Sequence, residues 1–140
     1  MQRLWVRNYR NLNVVVFVED GARKFGFTDD DIRTKVRLRL RQAQIRPLQT
    51  GSASELSEDQ QTLEVDVQIV GLAFNVGLEF QRSVVCPLPN NGVANIVSPT
   101  WTYAVTGTHG HDRAYVLSGL DEALDTFLNY YLKANQDMGL

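Results

Sequence analysis

Two histidines in the C-terminal third are the residues best placed to bind a metal ion. His109 and His111 are separated by one residue and are followed directly by Asp112. In extended backbone, side chains two residues apart point to the same side, so both imidazoles could reach one ion. Zinc requires a third and usually a fourth ligand, and none is evident nearby. The cluster is therefore a weak metal candidate, and the alternative is an exposed loop in which Asp112 caps the next helix.

The lone cysteine, Cys86, limits the covalent chemistry that the chain could perform. One cysteine excludes an internal disulfide framework and a multi-cysteine metal site. A nucleophile built from Cys86, a histidine and Asp112 would need a geometry that their spacing does not select. The alternative is a half-buried apolar residue beside Pro87. No G-x-x-x-x-G-K-S/T loop and no G-x-G-x-x-G turn is present, so we predict no cofactor and no catalytic residue.

Three arginines spaced four residues apart form the strongest candidate for binding an anion or a partner. Arg33, Arg37 and Arg41 would share one face of a helix, where phosphates could contact them. The alternative is a solvated face with internal ion pairs, because Asp29 and Asp31 each lie four residues before a basic residue. Aromatic residues do not alternate with the arginines, as they do in single-strand nucleic-acid binders. We therefore expect nucleic acid not to be a partner.

Charge is divided unevenly along a chain whose overall net charge is only −2. Residues 1–50 contain eleven Lys or Arg and five Asp or Glu, whereas residues 51–140 contain three and eleven. The acidic total gives no support to a nucleic-acid or membrane-surface protein, which usually carries a basic excess. The division itself has two readings: an anion-binding N-terminal face, or two halves that neutralise each other within the fold or between subunits.

The first elements must position the arginines. The apolar segment Leu12 to Val18 predicts a buried strand that ends in a turn at Glu19-Asp20-Gly21. Thr28 followed by three aspartates is typical of a helix start, and Pro47 stops the pattern, so we predict a helix over residues 29–45. Residues 35–41 also alternate between basic and apolar, which would suit a half-exposed strand. The cap and the stop favour the helix.

Alternating apolar residues in the middle of the chain predict a hairpin over residues 63–80. The alternation changes parity across Val70-Gly71, which we predict as the hairpin loop. One face then packs, while the other carries polar residues and meets water or a partner. A single bulged strand is the alternative, because a bulge also shifts parity by one. The predicted pairs are Ile69 with Leu72, Val67 with Phe74, Val65 with Val76, and Leu63 with Leu78.

The remaining segments complete an α+β fold. Residues 48–61 have the composition of an exposed loop, and Cys86 to Gly92 that of a turn whose two prolines bar a central strand. A strand over about Thr100 to Thr106 leads through a polar loop to a helix with apolar residues three and four apart, from Leu117 to Tyr131. The order β-α-β-β-β-α predicts a largely antiparallel sheet of about four strands with two helices packed on one face.

The chain resembles uncharacterised bacterial proteins of environmental origin, including the small orphan proteins carried on mobile gene cassettes of the integron type. The resemblance lies in the Thr28-capped helix with the core Val36-Arg37-Leu38-Arg39-Leu40, the alternating hairpin, Trp101, and residues 127–135, FLNYYLKAN. It covers most of the chain without a diagnostic motif. It implies an α+β fold and a bacterial source, and it assigns no activity and no functional residue.

At 140 residues and 44% apolar content, we expect one domain over residues 1–140. The basic N-terminal ten residues lack the apolar region of a signal peptide, and the run Val14 to Val18 is too short to span a membrane, so we expect a cytoplasmic protein. A leader peptide that had already been removed would not be detected in this way.

The favoured function is a non-enzymatic binding or assembly module that forms a homo-oligomer through the exposed sheet face and the charge contrast. A small enzyme or metal-binding protein with a site near Cys86 and residues 109–112 is one alternative; anion or nucleic-acid binding through the first helix is another.

Overall fold

The computed structural model describes residues 11–48 and 61–136. Residues 49–60 of the predicted loop and the N-terminal ten residues lie outside the described residues, whereas Leu48 and Gln61, also predicted as loop, belong to strands. The elements in chain order are β1 Asn11–Val18, α1 Asp20–Lys24, α2 Asp29–Gln42, β2 Arg46–Leu48, β3 Gln61–Val70, β4 Ala73–Pro87, a short 3-10 turn Pro89–Asn91, β5 Val93–Thr108 and α3 Arg113–Gln136. The predicted α+β class is confirmed, and the described residues form a mixed five-stranded sheet and three α-helices.

The sheet has the strand order β2-β1-β3-β4-β5. β1 pairs in parallel with both β2 and β3, whereas β4 pairs antiparallel with both β3 and β5. The prediction of a largely antiparallel sheet is thus wrong for β1. The physical reason is the crossover through α2, since a helical connection returns the chain in the same direction. The short strand β2, which contains Pro47, was not predicted.

Both long helices lie where the sequence predicted them, and one short helix was missed. Thr28 caps α2 by accepting a hydrogen bond from the Asp31 backbone N–H at 3.1 Å, and the helix ends at Gln42, three residues earlier than predicted. The predicted turn after β1 is instead α1. Its cap is Glu19, whose Oε1 accepts hydrogen bonds from the backbone N–H groups of Ala22 and Ile69, each at 2.9 Å. These hydrogen bonds lower the pKa of Glu19, and the bond from Ile69 has the largest effect.

One hydrophobic core lies between the sheet and the helices. All three helices contribute to this core, so they cover the same face of the sheet. The helix stripe predicted near the C-terminus is buried, with Phe127 and Tyr131 fully enclosed against Phe80. The strand side chains in the core are Leu12, Val14, Val16, Val18, Leu63, Val65, Val67, Ile69, Phe74, Val76, Leu78 and Phe80. No described helix packs on the opposite face of the sheet, which is called the open face below.

The predicted hairpin forms, but with a different loop. Val70 pairs with Ala73, so the loop is Gly71-Leu72 and each β3 residue pairs two positions further along β4 than predicted. Gly71 has φ +60°, and a positive φ at the first loop position alone is the pattern of a type II′ turn. A displacement of two residues preserves the face. The predicted core residues therefore stay buried except Leu72, which is 56% exposed.

The β4–β5 hairpin is longer than predicted. The segment predicted as a turn from Cys86 to Gly92 contains the last two residues of β4, and β5 begins at Val93 rather than near Thr100. Pro87 is tolerated because it is the last residue of its strand. Pro99 is tolerated because it lies in an edge strand, at the point where the register with β4 shifts between Phe80 and Gln81. No helix in the described part of the chain is long and apolar enough to cross a membrane.

Candidate functional site

His109 and His111 lie in a turn rather than in extended backbone. His109 is buried, and its Nε2 lies 2.8 Å from the Gly71 carbonyl oxygen. Its Nδ1 accepts a hydrogen bond from the His111 backbone N–H at 2.9 Å, which makes Nε2 the protonated nitrogen that donates to Gly71. Phe25 packs on the ring, with centroids 4.5 Å apart. Both ring nitrogens are therefore engaged in holding two loops together.

Asp112 caps α3, which is the alternative that the sequence offered for it. Its Oδ1 accepts a hydrogen bond from the backbone N–H of Ala114 at 2.9 Å. This carboxylate satisfies one of the free N–H groups at the helix start and complements the helix dipole. Among the described residues, no group of three or more His, Cys, Asp or Glu side chains could hold a metal ion.

Cys86 and His109 do not share a site. Cys86 pairs with Ala94 near one end of the β4–β5 hairpin, whereas His109 directly follows the other end of β5. The fifteen residue steps from Ala94 to His109 correspond to roughly 50 Å of extended strand. The geometry therefore does not assemble the Cys-His-Asp arrangement considered from sequence.

The basic helix α2 has one flank that is neutralised within the fold. Arg39 donates a hydrogen bond to Asp121 at 3.0 Å and also pairs with Asp125, while Lys35 lies 3.2 Å from Asp121. Both acids belong to α3. Contacts between α2 and α3 thus neutralise part of the charge difference between the two halves of the chain. This is the interpretation, given above, in which the halves neutralise each other within the fold.

The three predicted partner-binding arginines lie on the other flank of α2. Arg33 pairs with Asp30 at 2.9 Å, in the same helix. Within the described residues, Arg37 and Arg41 form no ion pair, and the Nε atoms of Arg33 and Arg37 are buried without a hydrogen-bond partner. This flank therefore retains a net positive charge that Arg37 and Arg41 provide.

The open face of the sheet carries three neighbouring carboxylates. Glu64 lies directly opposite Glu79 across the β3–β4 ladder, and Asp66 lies opposite Gly77. Burial, followed by the charges of Asp66 and Glu79, raises the pKa of Glu64. Burial and the charge of Glu79 likewise raise the pKa of Asp66. Gln81 partly compensates by donating a hydrogen bond to Glu64 at 3.0 Å.

A shallow depression of about 480 Å³ lies beside these carboxylates. The depression forms because Gly77 has no side chain and Ala104, which pairs with it on β5, has only a methyl group. The residues lining it are Asp66, Gly77, Leu78, Glu79, Thr102, Tyr103 and Ala104. The sequence predicted that this face of the hairpin is polar, but the depression itself depends on the pairing of β4 with β5, which was not predicted.

The outer part of the β4–β5 hairpin is the feature that sequence reasoning missed. Residues 83–98, called the ribbon arm below, extend past Gln61, the first described residue of β3, which pairs with Arg82. Among the arm residues whose side chains the structure describes, none belongs to the hydrophobic core. Val93, Ile96 and Val97 are 69%, 46% and 52% exposed. The apolar residues after Gly92 were the available signal, but the prolines suggested a loop.

Comparisons with known proteins add little to this geometry. No protein-family model matches the chain, and no curated protein matches it either. Among solved structures, it is similar to a crystal structure of a minor lipoprotein from Acinetobacter baumannii, with 12% identity over 87% of this chain and 88% of that chain. The TM-score is 0.32, too low for the likeness to carry an argument.

Proposed function

We propose that this protein is a non-enzymatic binding or assembly module that forms a homo-oligomer through the β4–β5 hairpin. The observation that supports the proposal is the exposure of apolar side chains on both sides of the ribbon arm. Ile96 and Val97 are neighbours in a strand, so they point to opposite faces, and both are about half exposed. Val93 adds a third exposed apolar side chain on the same strand.

A partner surface would stabilise a two-stranded ribbon of this kind, because isolated hairpins are only marginally stable in water. Contiguous exposed apolar surface marks interaction sites in soluble proteins. A second copy of the chain supplies the same surface, and a two-fold contact buries both arms at once. The arm contains no Lys, Arg, Asp or Glu, so we expect the association to survive high salt.

The two surfaces suggested by sequence suit self-association less well. Two copies of the open sheet face would bring Glu64, Asp66 and Glu79 against identical carboxylates, which is unfavourable at neutral pH. The basic helix and the acidic half of the chain already form an ion pair within one copy, between Arg39 and Asp121. The hairpin has neither disadvantage. We retain the cytoplasm as the compartment in which the module acts.

Size exclusion with light scattering, at low salt and at about 0.5 M salt, tests this proposal. We expect an oligomer at both salts for the wild type and a monomer for the double variant Ile96→Lys, Val97→Lys. Leu72→Lys is the matched control, because Leu72 is an exposed apolar residue in the loop at the opposite end of the hairpin. Circular dichroism verifies that each variant is folded. A wild-type monomer at both salts would contradict the proposal.

A second candidate function is the binding of an anionic partner by Arg37 and Arg41. It is favoured by their lack of an ion pair within the described residues, in contrast to Lys35 and Arg39. Fluorescence anisotropy of a labelled DNA duplex tests it, with Arg37→Glu, Arg41→Glu as the variant. Binding that weakens steeply with salt and disappears in the variant would support this function. No binding by the wild type at low salt would exclude duplex DNA as the ligand.

A further inference from the structure

The tip of the ribbon arm contains the only Asn-Gly pair in the sequence, Asn91-Gly92. The pair lies at the end of the short 3-10 turn that joins β4 to β5. The Leu88 backbone N–H closes this turn by donating a hydrogen bond to the Gly92 carbonyl oxygen at 2.8 Å. Asn91 and Gly92 are both exposed. The side-chain amide of Asn91 is therefore open to water.

The turn itself does not require a glycine at position 92. Gly92 has φ −81° and ψ 167°, an extended conformation that any residue adopts. A Cβ atom there would lie 3.7 Å from the side chain of Leu88, an ordinary van der Waals distance. The positions that do need a special conformation are Asn90 and Asn91, with φ +71° and +61°. What Gly92 provides is an unhindered backbone nitrogen beside the Asn91 side chain.

An Asn-Gly pair undergoes a characteristic reaction in water. The backbone nitrogen of the glycine loses its proton and attacks Cγ of the asparagine, so that a new C–N bond closes a five-membered imide. The C–N bond of the side-chain amide breaks, and its nitrogen takes up a proton and leaves as ammonia. Water then opens the imide at either carbonyl to give aspartate or isoaspartate. Glycine favours the attack because it has no Cβ and the most mobile backbone.

We propose that Asn91 is a site of spontaneous deamidation, which places a negative charge at the tip of the ribbon arm and weakens the assembly with time. This inference rests on the proposed homo-oligomer and adds regulation to it. Residues 83–98 contain no Lys, Arg, Asp or Glu, so this carboxylate is the first charge on the arm. A two-fold contact between arms brings two such charges to one interface, where they repel and lose water.

The two products of the reaction act on the arm in different ways. Aspartate tolerates the left-handed backbone conformation of Asn91 about as well as asparagine does, so it adds charge without changing the turn. Isoaspartate carries the main chain through the former side-chain carbon and lengthens it by one atom. The extra atom lies inside the turn that the Leu88 to Gly92 hydrogen bond closes. Because turn geometry sets the register of a hairpin, isoaspartate alters the shape of the arm as well.

Peptide mass spectrometry of protein incubated in mildly alkaline buffer tests the modification. Replacement of –NH2 by –OH at Asn91 raises the peptide mass by about 1 Da. Gly92→Ala is the matched variant, because the backbone and the space at position 92 accept alanine. We expect it to deamidate several-fold more slowly than the wild type, since its Cβ hinders the attack. Asn129, which is exposed on α3 and followed by Tyr130, is the internal control and should stay unmodified.

Light scattering of the Asn91→Asp variant tests the effect on assembly. At low salt we expect a larger monomer fraction than for the wild type, because the two new charges repel. At about 0.5 M salt the oligomer should largely recover, since exposed charges are screened there. Asn129→Asp adds the same charge outside the arm and should assemble like the wild type.

The outcomes separate this inference from the proposed function. Deamidation at Asn91 that is slowed in Gly92→Ala, together with salt-sensitive assembly of Asn91→Asp, supports the inference. If the wild type is an oligomer but Asn91 stays intact, or Asn91→Asp assembles like Asn129→Asp, the inference is wrong while the proposed function stands. A monomeric wild type overturns both.

Discussion

Arg39 of α2 donates a hydrogen bond to Asp121 of α3 across 3.0 Å, and 82 positions separate the two residues in the chain. Asp121 also lies 3.2 Å from Lys35, so one carboxylate serves two cations. This contact joins the basic first third of the chain to the acidic last third. It accounts for part of the charge division without any external partner.

We expect Asp121→Asn to lower the free energy of unfolding by about 0.5–1 kcal/mol, because the pairs are partly exposed and screened by water. The loss should shrink at about 0.5 M salt, where exposed charges are screened. Urea denaturation at both salts measures it. Glu122→Gln is the control, since Glu122 is exposed and has no ion pair within the described residues. Equal losses in the two variants would contradict a specific role for Asp121.

The carboxylates of the open sheet face should make stability depend on pH. The raised pKa of Glu64 means that the folded state binds this proton more tightly than the unfolded state, whose pKa is near 4.5. The resulting stabilisation is full below 4.5 and is lost as the pH rises through the folded pKa. We therefore expect Glu64→Gln to increase the free energy of unfolding at pH 7, by less than about 1 kcal/mol.

Asp66→Asn should act in the same direction, since burial and Glu79 raise its pKa too. Urea denaturation of wild type and both variants, at pH 4 and pH 7, measures the effect. The gain should be present at pH 7 and nearly absent at pH 4. A variant that is less stable than the wild type at pH 7 would show that the negative charge, rather than its removal, favours the fold. Glu122→Gln again serves as the control for an isolated surface carboxylate.

The sequence was informative where local chemistry and burial agree. Thr28 and the aspartates after it mark the start of α2, and the stripe that includes Phe127 and Tyr131 marks the buried face of α3. Alternation along residues 63–80 identified the packed face of the hairpin. Each of these signals depends on residues close together in the chain.

Strand pairing and strand length were harder to predict, because they depend on neighbours distant in sequence. β2 is three residues long, contains Pro47 and is held by pairing with β1, so nothing local marks it. β5 tolerates Pro99 because its outer edge has no partner strand among the described residues. The same reasoning applies to the candidate sites: spacing suggested that His109 and His111 share a ligand, whereas the tertiary contacts of His109 use both its ring nitrogens.

His109 should be important for stability rather than for metal binding. His109→Ala removes the bond to the Gly71 carbonyl oxygen, the acceptor for the His111 N–H, and the packing against Phe25. We expect a loss of about 2–4 kcal/mol in the free energy of unfolding. His111→Gly should stay within about 1 kcal/mol of the wild type, because His111 is exposed and has φ +62°, which glycine accepts readily.

Thermal unfolding with and without zinc provides the contrasting measurement. A zinc site at His109 and His111 would raise the melting temperature of the wild type when the metal is added, and both variants would abolish that rise. The hydrogen bonds of His109 predict no such rise. A zinc-dependent increase in wild type alone would return these residues to the metal-site interpretation.

The hairpin loop offers a test of register that distinguishes the observed structure from the one predicted by alternation. In the observed register Leu72 is an exposed loop residue and Phe74 is buried opposite Ile69. Leu72→Ala should therefore change the free energy of unfolding by no more than about 0.5 kcal/mol, whereas Phe74→Ala should cost about 3 kcal/mol. Gly71→Ala should cost about 1 kcal/mol, since alanine at φ +60° is strained. If Leu72 faced Ile69 in the core, Leu72→Ala would cost about 2–5 kcal/mol. Urea denaturation of the three variants decides between the two registers.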